Sequence, residues 1–158
     1  MRLQRQKRPG ATVVESAVVS PVVFLLVLGL LVGAAGVFRY QEMATLARRA
    51  ARYASVHGTQ YAKDTGNPAA TPSVSGPAPP GSDIYNNVVA NAVALDPSRL
   101  TCSVRYNSAN SQYSTSVVNG QVVATANTVS VTLTYQWIPE AFLGGITLTS
   151  TSVMPMCY

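Results

Sequence analysis

The residue with the clearest chemical signal is Glu15, a carboxylate at the start of a long apolar run. Residues 16–38, which follow it, are 23 residues without a charged side chain. A charge inside a membrane helix costs about 2.5 to 3.5 kcal/mol on insertion scales, so it persists where an opposite charge neutralises it. If the chain is cut after Gly10, the new amine of Ala11 lies about one helical turn from Glu15. This spacing indicates an ion pair that acts in assembly; the alternative is a carboxylate solvated at the membrane surface, with no role.

Two cysteines, Cys102 and Cys157, and a single histidine, His57, are the other candidate reactive side chains. In an oxidising compartment the cysteines would close a loop of about 55 residues, and the disulfide would be worth on the order of 4 kcal/mol on the chain-entropy model. The alternative is a pair of free buried thiols. His57 precedes Gly58 at the end of a helical pattern, which favours a capping or surface role. With so few ligands the sequence predicts no metal site and no cofactor.

The sequence carries no recognisable catalytic motif: it lacks G-x-S-x-G, a P-loop, H-E-x-x-H, C-x-x-C and paired carboxylates at a useful spacing. We therefore expect that the chain is not an enzyme. Its net charge of +5 comes mostly from residues 1–10, which hold four of the eleven basic side chains; the rest of the chain has seven basic side chains against six acidic ones. A nucleic-acid surface needs clustered positive charge, so nucleic acid is not an expected partner.

Residues 16–38 are long enough to cross a membrane as a helix. At 1.5 Å per residue they span about 35 Å, against about 30 Å for a bilayer's hydrocarbon core. Three interpretations fit this segment. It is a signal peptide cleaved near Ala35, which would release a secreted binding module, or it is the uncleaved signal anchor of an envelope protein with no filament role. The third interpretation is a membrane helix that begins at Ala11 after removal of the leader. Within the run, Gly29 and Gly33 form a G-x-x-x-G pattern, which favours close packing between helices.

The wider N-terminal pattern is a basic leader, Gly10, four residues, Glu15, an apolar helix and then an Ala- and Arg-rich segment. It resembles the type III signal of type IV pilins and pseudopilins, in which a prepilin peptidase cuts after the glycine and usually methylates the new amine. Within that group it is most similar to the TadE-like family of the tight-adherence (Flp) pilus system. That family usually has an aromatic residue directly after the glutamate, where this chain has Ser16. The family pattern G-A-x-x-V-E-x-A-x-x-x-P is matched by Gly10, Ala11, Val14, Glu15, Ala17 and Pro21.

The resemblance implies a minor pilin or pseudopilin that takes part in the assembly or function of a tight-adherence pilus or a related secretion system, with roles in surface adhesion or DNA uptake. The implied partners are the prepilin peptidase, other pilin-like subunits, the inner-membrane assembly platform and membrane lipid. The implied location is the cytoplasmic (inner) membrane, crossed once, with the N-terminus in the cytoplasm and the C-terminal domain in the periplasm or outside the cell. The count of flanking basic residues is equal, four on each side of the apolar run, but the leader charges lie closer to the run as a group and the C-terminal body looks exported, which favours a cytoplasmic N-terminus.

The remainder of the chain is expected to add a small body to the helix. Apolar residues at helical spacing predict that residues 11–57 form one continuous helix. Five prolines and three glycines between positions 64 and 82 predict a loop over residues 58–82. Residues 83–158 are predicted to form a short helix and an antiparallel sheet, in which Asn119-Gly120 marks a hairpin and residues 129–137 alternate as a half-buried strand. The apolar face of the sheet should pack on the Ala-rich half of the helix, so the expected fold class is α+β.

Overall fold

A computed structural model of the protein describes residues 9–67, 76–139 and 144–157. Residues 1–8 of the predicted leader and residues 68–75 of the predicted loop lie outside this part of the chain. The chain divides into two compact units, residues 1–37 and residues 38–158. Its first helix, α1, runs over Pro9–Val56 and contributes to both units. The remaining helices are α2 (Thr59–Thr65), α3 (Asp83–Ala90) and a short 3₁₀ helix (Pro97–Arg99).

The first unit presents an apolar helical surface. Its valine, leucine and phenylalanine side chains between positions 13 and 31 are 50–75% exposed. The helix is long and apolar enough to cross a membrane. The helix continues through Pro21 without a break, a feature that helices which cross membranes tolerate.

The second unit is built on antiparallel strands. Four of them form one sheet in the order β1, β2, β5, β6, and the other two form a separate hairpin. The bounds are β1 Gly76–Pro77, β2 Leu100–Tyr106, β3 Tyr113–Val118, β4 Gln121–Ala126, β5 Thr128–Trp137 and β6 Ile146–Pro155.

The core of this unit lies between the sheet and the second half of α1. Buried and more exposed side chains alternate along strand β5. The buried ones are the apolar side chains at positions 129, 131, 133, 135 and 137. The Arg39 guanidinium of α1 lies 5.1 Å from the centre of the Trp137 ring on β5. Two residues beyond the end of β6, the Cys157 N–H donates to the Ser55 carbonyl of α1 at 2.9 Å. Small side chains let the helix approach closely. On α1 the buried apolar residues are Met43, Leu46, Ala47, Ala50, Ala51 and Ala54, and Ser55 is buried beside them. The predicted α+β fold class is confirmed.

The hairpin of β3 and β4 turns where the sequence predicted it. Asn119 has φ 53° and Gly120 has φ 79°, the pair of positive angles that a two-residue type I′ turn requires. The hairpin is joined to the four-stranded sheet through Asn127, which is fully buried. Its side chain accepts from the Ser114 hydroxyl at 3.0 Å and donates to the Ser111 carbonyl at 2.9 Å. A buried amide with both ends bonded holds the hairpin in place.

The range 58–82, predicted as a loop, contains regular structure at both ends. Helix α2 occupies Thr59–Thr65 and strand β1 occupies Gly76–Pro77. The proline-rich composition begins only after α2, so it does not oppose a helix there. Gly66, at φ 69°, then ends α2 in the left-handed conformation, and its N–H donates to the Ala62 carbonyl at 3.1 Å.

Candidate functional site

The cleavage and assembly residues all lie in the first two turns of α1. Gly10 is exposed, and apart from the adjacent backbone of its own helix no atom of the described residues lies within 4 Å of the position that a β-carbon would take there. Glu15 is also exposed. Ala11 precedes Glu15 by four residues, a rise of about 6 Å along the helix, so the backbone nitrogen of Ala11 and the carboxylate lie on the same side. The structure thus keeps together the three residues that sequence analysis predicted to act together.

Three hydroxyl side chains lie on the same side of the helix as Glu15. Sequence analysis did not identify them. Thr12, Ser16 and Ser20 recur every four residues and line one surface groove with the carboxylate. The Ser16 hydroxyl donates to the Thr12 carbonyl at 2.8 Å, a bond within the helix that needs no water. Ser and Thr at such positions favour close contact and hydrogen bonding between membrane helices. The four-residue spacing is the signal that could have predicted this polar stripe.

Gly29 and Gly33 are exposed on the same helix. Nothing lies within 4 Å of a β-carbon built at either glycine, so both positions are open to a neighbouring helix. Gly33 follows Glu15 by 18 residues, which is five full turns at 3.6 residues per turn. The carboxylate and the glycines therefore share one side of α1, separated by about 27 Å along the axis.

A second charged contact, also missed from the sequence, lies farther along α1. The Glu42 carboxylate accepts from the Val93 N–H at 2.5 Å and from the Ala94 N–H at 3.1 Å. Nearby, the Arg49 guanidinium donates to the Asn91 side-chain oxygen at 3.2 Å. Hydrogen bonds to a charged acceptor are worth about 1.5 to 3 kcal/mol. They hold the turn after α3 against α1, and no local pattern predicts them because the donors are backbone groups 51 and 52 residues away.

Residues 10–52 match the model of the TadE-like protein family. The N-terminal segment is TadE-like. No curated protein and no solved structure matches the chain. The resemblance inferred from the pattern around Gly10 and Glu15 is confirmed. The match supports, in general terms, a pseudopilin-type role associated with the tight-adherence pilus. The TadE-like segment contains the proposed cleavage site, Glu15, the two glycines of the G-x-x-x-G pattern and most of the helix surface on which the sheet rests.

The two cysteines lie outside the TadE-like segment and are both free, so the structure does not contain the predicted disulfide. Cys102 pairs with Leu133 across β2 and β5, whereas Cys157 follows Met156, whose N–H donates to the Asn127 carbonyl. The two cysteines therefore lie beside residues 133 and 127 of the same extended segment. These residues are six positions apart, which corresponds to about 20 Å of extended chain. A disulfide needs α-carbons within about 7 Å. Sequence spacing could not exclude the pairing, because it does not give the register of the strands.

The two thiols should differ sharply in reactivity. Cys102 is buried, which raises its pKa to about 11, and Cys157 is exposed. The thiolate is the nucleophile that attacks iodoacetamide and displaces iodide, so Cys102, which is buried and protonated, should stay unmodified at pH 8 while the chain is folded. We expect iodoacetamide to add one group to the folded protein, at Cys157, and a second after denaturation, as measured by intact mass and peptide mapping. Two groups on the folded chain would contradict the burial of Cys102, and none would indicate a disulfide.

His57 also lies beyond the TadE-like segment, and it has structural contacts. Its ring stacks on Tyr53 at 4.1 Å and meets the edge of Tyr61 at 4.5 Å between ring centres. Its Nδ1 atom is 2.9 Å from the Tyr53 carbonyl oxygen. These contacts join the end of α1 to α2. In the part of the chain that the structure describes, no group of three or more His, Cys, Asp or Glu side chains is placed to hold a metal ion.

Proposed function

We propose that the chain is a minor pilin or pseudopilin that takes part in the assembly or function of a tight-adherence pilus or a related secretion system. The observation that carries the proposal is the position of Glu15, exposed on an apolar helix of membrane length, within a TadE-like segment and one turn after the Gly10-Ala11 bond. A carboxylate at this position is costly in lipid unless an opposite charge meets it.

Processing supplies that charge. Hydrolysis of the bond after Gly10 by a prepilin peptidase removes the leader and leaves an amine on Ala11. In a lone subunit the amine and the Glu15 carboxylate compensate each other within one helix. In an assembly the amine of one subunit approaches the carboxylate of the next, and the ion pair specifies the register between them. Both charges thus keep a partner in lipid when the subunits join, and only the matching register provides one.

Close helix packing is the second component of this assembly. Gly29 and Gly33 lie on the same side of α1 as Glu15, and each leaves open space where a side chain would stand. Two helices that meet along this side bring their backbones near each other at the glycines while the charges pair at the other end. Packing of this kind stabilises membrane helix pairs through van der Waals contacts, since lipid gives no hydrophobic driving force between helices.

The remaining expectations follow the same proposal. The chain crosses the cytoplasmic membrane once, with its N-terminus in the cytoplasm and residues 39–158 in the periplasm or beyond. Its partners are the peptidase, other pilin-like subunits, the inner-membrane assembly platform and lipid. Its role is structural rather than catalytic, in surface adhesion, DNA uptake or secretion through the filament system.

The mass of the intact protein from its native cell tests processing directly. We expect a chain that begins at Ala11, with or without one methyl group. A chain that retains its first ten residues would identify a plain signal anchor, and a chain that begins at Gly36 would identify a secreted module; either result overturns the proposal. A Gly10→Val variant is the matched control. It should fold normally, because nothing crowds the new side chain, and should remain unprocessed.

A further inference from the structure

Several large apolar side chains of the second unit remain exposed around the point where the uncharged run of α1 ends. The last residue of that run is Phe38, and the first charge after it is Arg39. We call these exposed side chains the collar. The collar consists of Phe38 (58% exposed), Tyr40 (50%), Val93 (90%), Ile138 (54%) and Ile146 (44%).

Val93 is held at the level of this boundary by Glu42. The carboxylate accepts the N–H groups of Val93 and Ala94, so the backbone of the turn is fixed to α1 while the Val93 side chain points away from the protein's own core. Phe38 and Val93 line the same surface groove. Glu42 is four residues after Phe38, a rise of about 6 Å along the helix.

Ile138 and Ile146 are placed at the same level by a different attachment. The Arg39 guanidinium lies over the ring of Trp137, the residue that precedes Ile138 and ends β5. Ile146 begins β6 and pairs directly with Trp137. One end of the sheet is therefore anchored to α1 one residue after the uncharged run, independently of the bond from Glu42.

We propose that the collar rests in the headgroup region of the bilayer that α1 spans, with lipid as its partner. This rests on the proposed membrane insertion of α1. Residues 16–38 match the hydrocarbon thickness, so residue 38 marks its edge. The headgroup region extends about 5 to 7 Å beyond that edge on each side, which covers the level at which Val93 and Ile138 are attached. Tyr40 is of a residue type enriched in this region, and arginines near the ends of membrane helices, as Arg39 is, extend their charge to it.

The collar explains an otherwise unfavourable arrangement. The Val93 side chain is 90% exposed at the tip of a turn, and exposure of an apolar side chain to water is unfavourable. Hydrogen bonds from the N–H groups of Val93 and Ala94 to Glu42 nevertheless hold the turn in this position. Inserted among headgroups, the same side chain contacts apolar surface. The collar begins at Phe38, the last residue of the uncharged membrane-length run, and this sequence position is the reason to assign it to lipid rather than to another protein.

Depth-dependent fluorescence quenching tests the collar in the full-length chain. A Cys157→Ser background removes the exposed thiol, and the buried Cys102 stays unlabelled while the protein is folded. Single cysteines are then introduced by Val93→Cys and, as a matched control, by Val153→Cys, a site 61% exposed near the far end of β6. Each is labelled with a nitrobenzoxadiazole probe and reconstituted in phosphatidylcholine–phosphatidylglycerol vesicles that carry spin labels at shallow or deep positions.

We expect the shallow spin label to quench the probe at position 93 at least threefold more than the probe at position 153. A Leu30→Cys variant, at a site 75% exposed on α1, reports insertion itself and should be quenched most by the deep label. Quenching at 30 but not at 93 would overturn the collar and leave membrane insertion intact. No quenching at 30 would overturn insertion and the collar together. A probe at 93 that is shielded from lipid spin labels and also from aqueous iodide would show that a second copy covers the collar, which also overturns the assignment to lipid.

Discussion

A Glu15→Gln variant should be processed like the unaltered chain but join assemblies at least tenfold less well. Glutamine keeps the size of the side chain and removes its charge, so the amine of the neighbouring subunit stays uncompensated in lipid. An uncompensated charge costs about 2.5 to 3.5 kcal/mol at a helix centre. Half of that cost is enough for a tenfold effect, since about 1.4 kcal/mol corresponds to a factor of ten. The measurement is cross-linking between two differently tagged copies in native membranes, with intact mass as the check on processing.

The control for Glu15 lies two residues before it. Val13→Ala shortens an exposed side chain on nearly the opposite side of the helix and leaves the charge of Glu15 in place, so its cross-linking should stay within about twofold of the unaltered chain. Glu15→Asp keeps the charge on a shorter side chain and should retain part of the assembly. A glutamine variant that assembles as well as the unaltered chain would show that the charge has no role in assembly. It would favour the alternative interpretation, in which Glu15 is solvated at the membrane surface.

A Leu133→Ala variant should lower the free energy of unfolding of the second unit by about 2 to 5 kcal/mol. Leu133 is fully buried at the middle of β5, a strand paired on both sides by β2 and β6. The backbones of the neighbouring residues are fixed by hydrogen bonds to strands on both sides, so they cannot move into the space that the leucine leaves. The loss of unfolding free energy should therefore include a cavity term. The free energy of unfolding is measured by urea titration of the full chain in detergent micelles. The fluorescence of Trp137, the only tryptophan, reports the unfolding.

Gln136→Ala is the matched control on the same strand. Gln136 is exposed on the opposite face of β5, so its truncation should change stability by no more than about 0.5 kcal/mol. Equal effects for the two variants would contradict the packing of the sheet on the Ala-rich half of α1, because that packing is what distinguishes the two faces of the strand.

The amino-acid sequence by itself determined the features that depend on neighbouring residues. The apolar run predicted the membrane-length helix, alternation predicted β5, and Asn119-Gly120 predicted the hairpin turn, because helix period, strand period and turn angles are properties of a few adjacent residues. The pattern around Gly10 and Glu15 was sufficient, for the same reason, to indicate that residues 10–52 are TadE-like.

Only the tertiary structure decided which distant residues meet. It separated Cys102 from Cys157, gave Glu42 two backbone donors in the turn after α3, and brought Val93 and Ile138 to the end of the uncharged run. Strand register and the packing of the sheet on α1 set these positions. Both arise from the summed contacts of many side chains that are far apart in the chain, so no single stretch of sequence carries a signal for them.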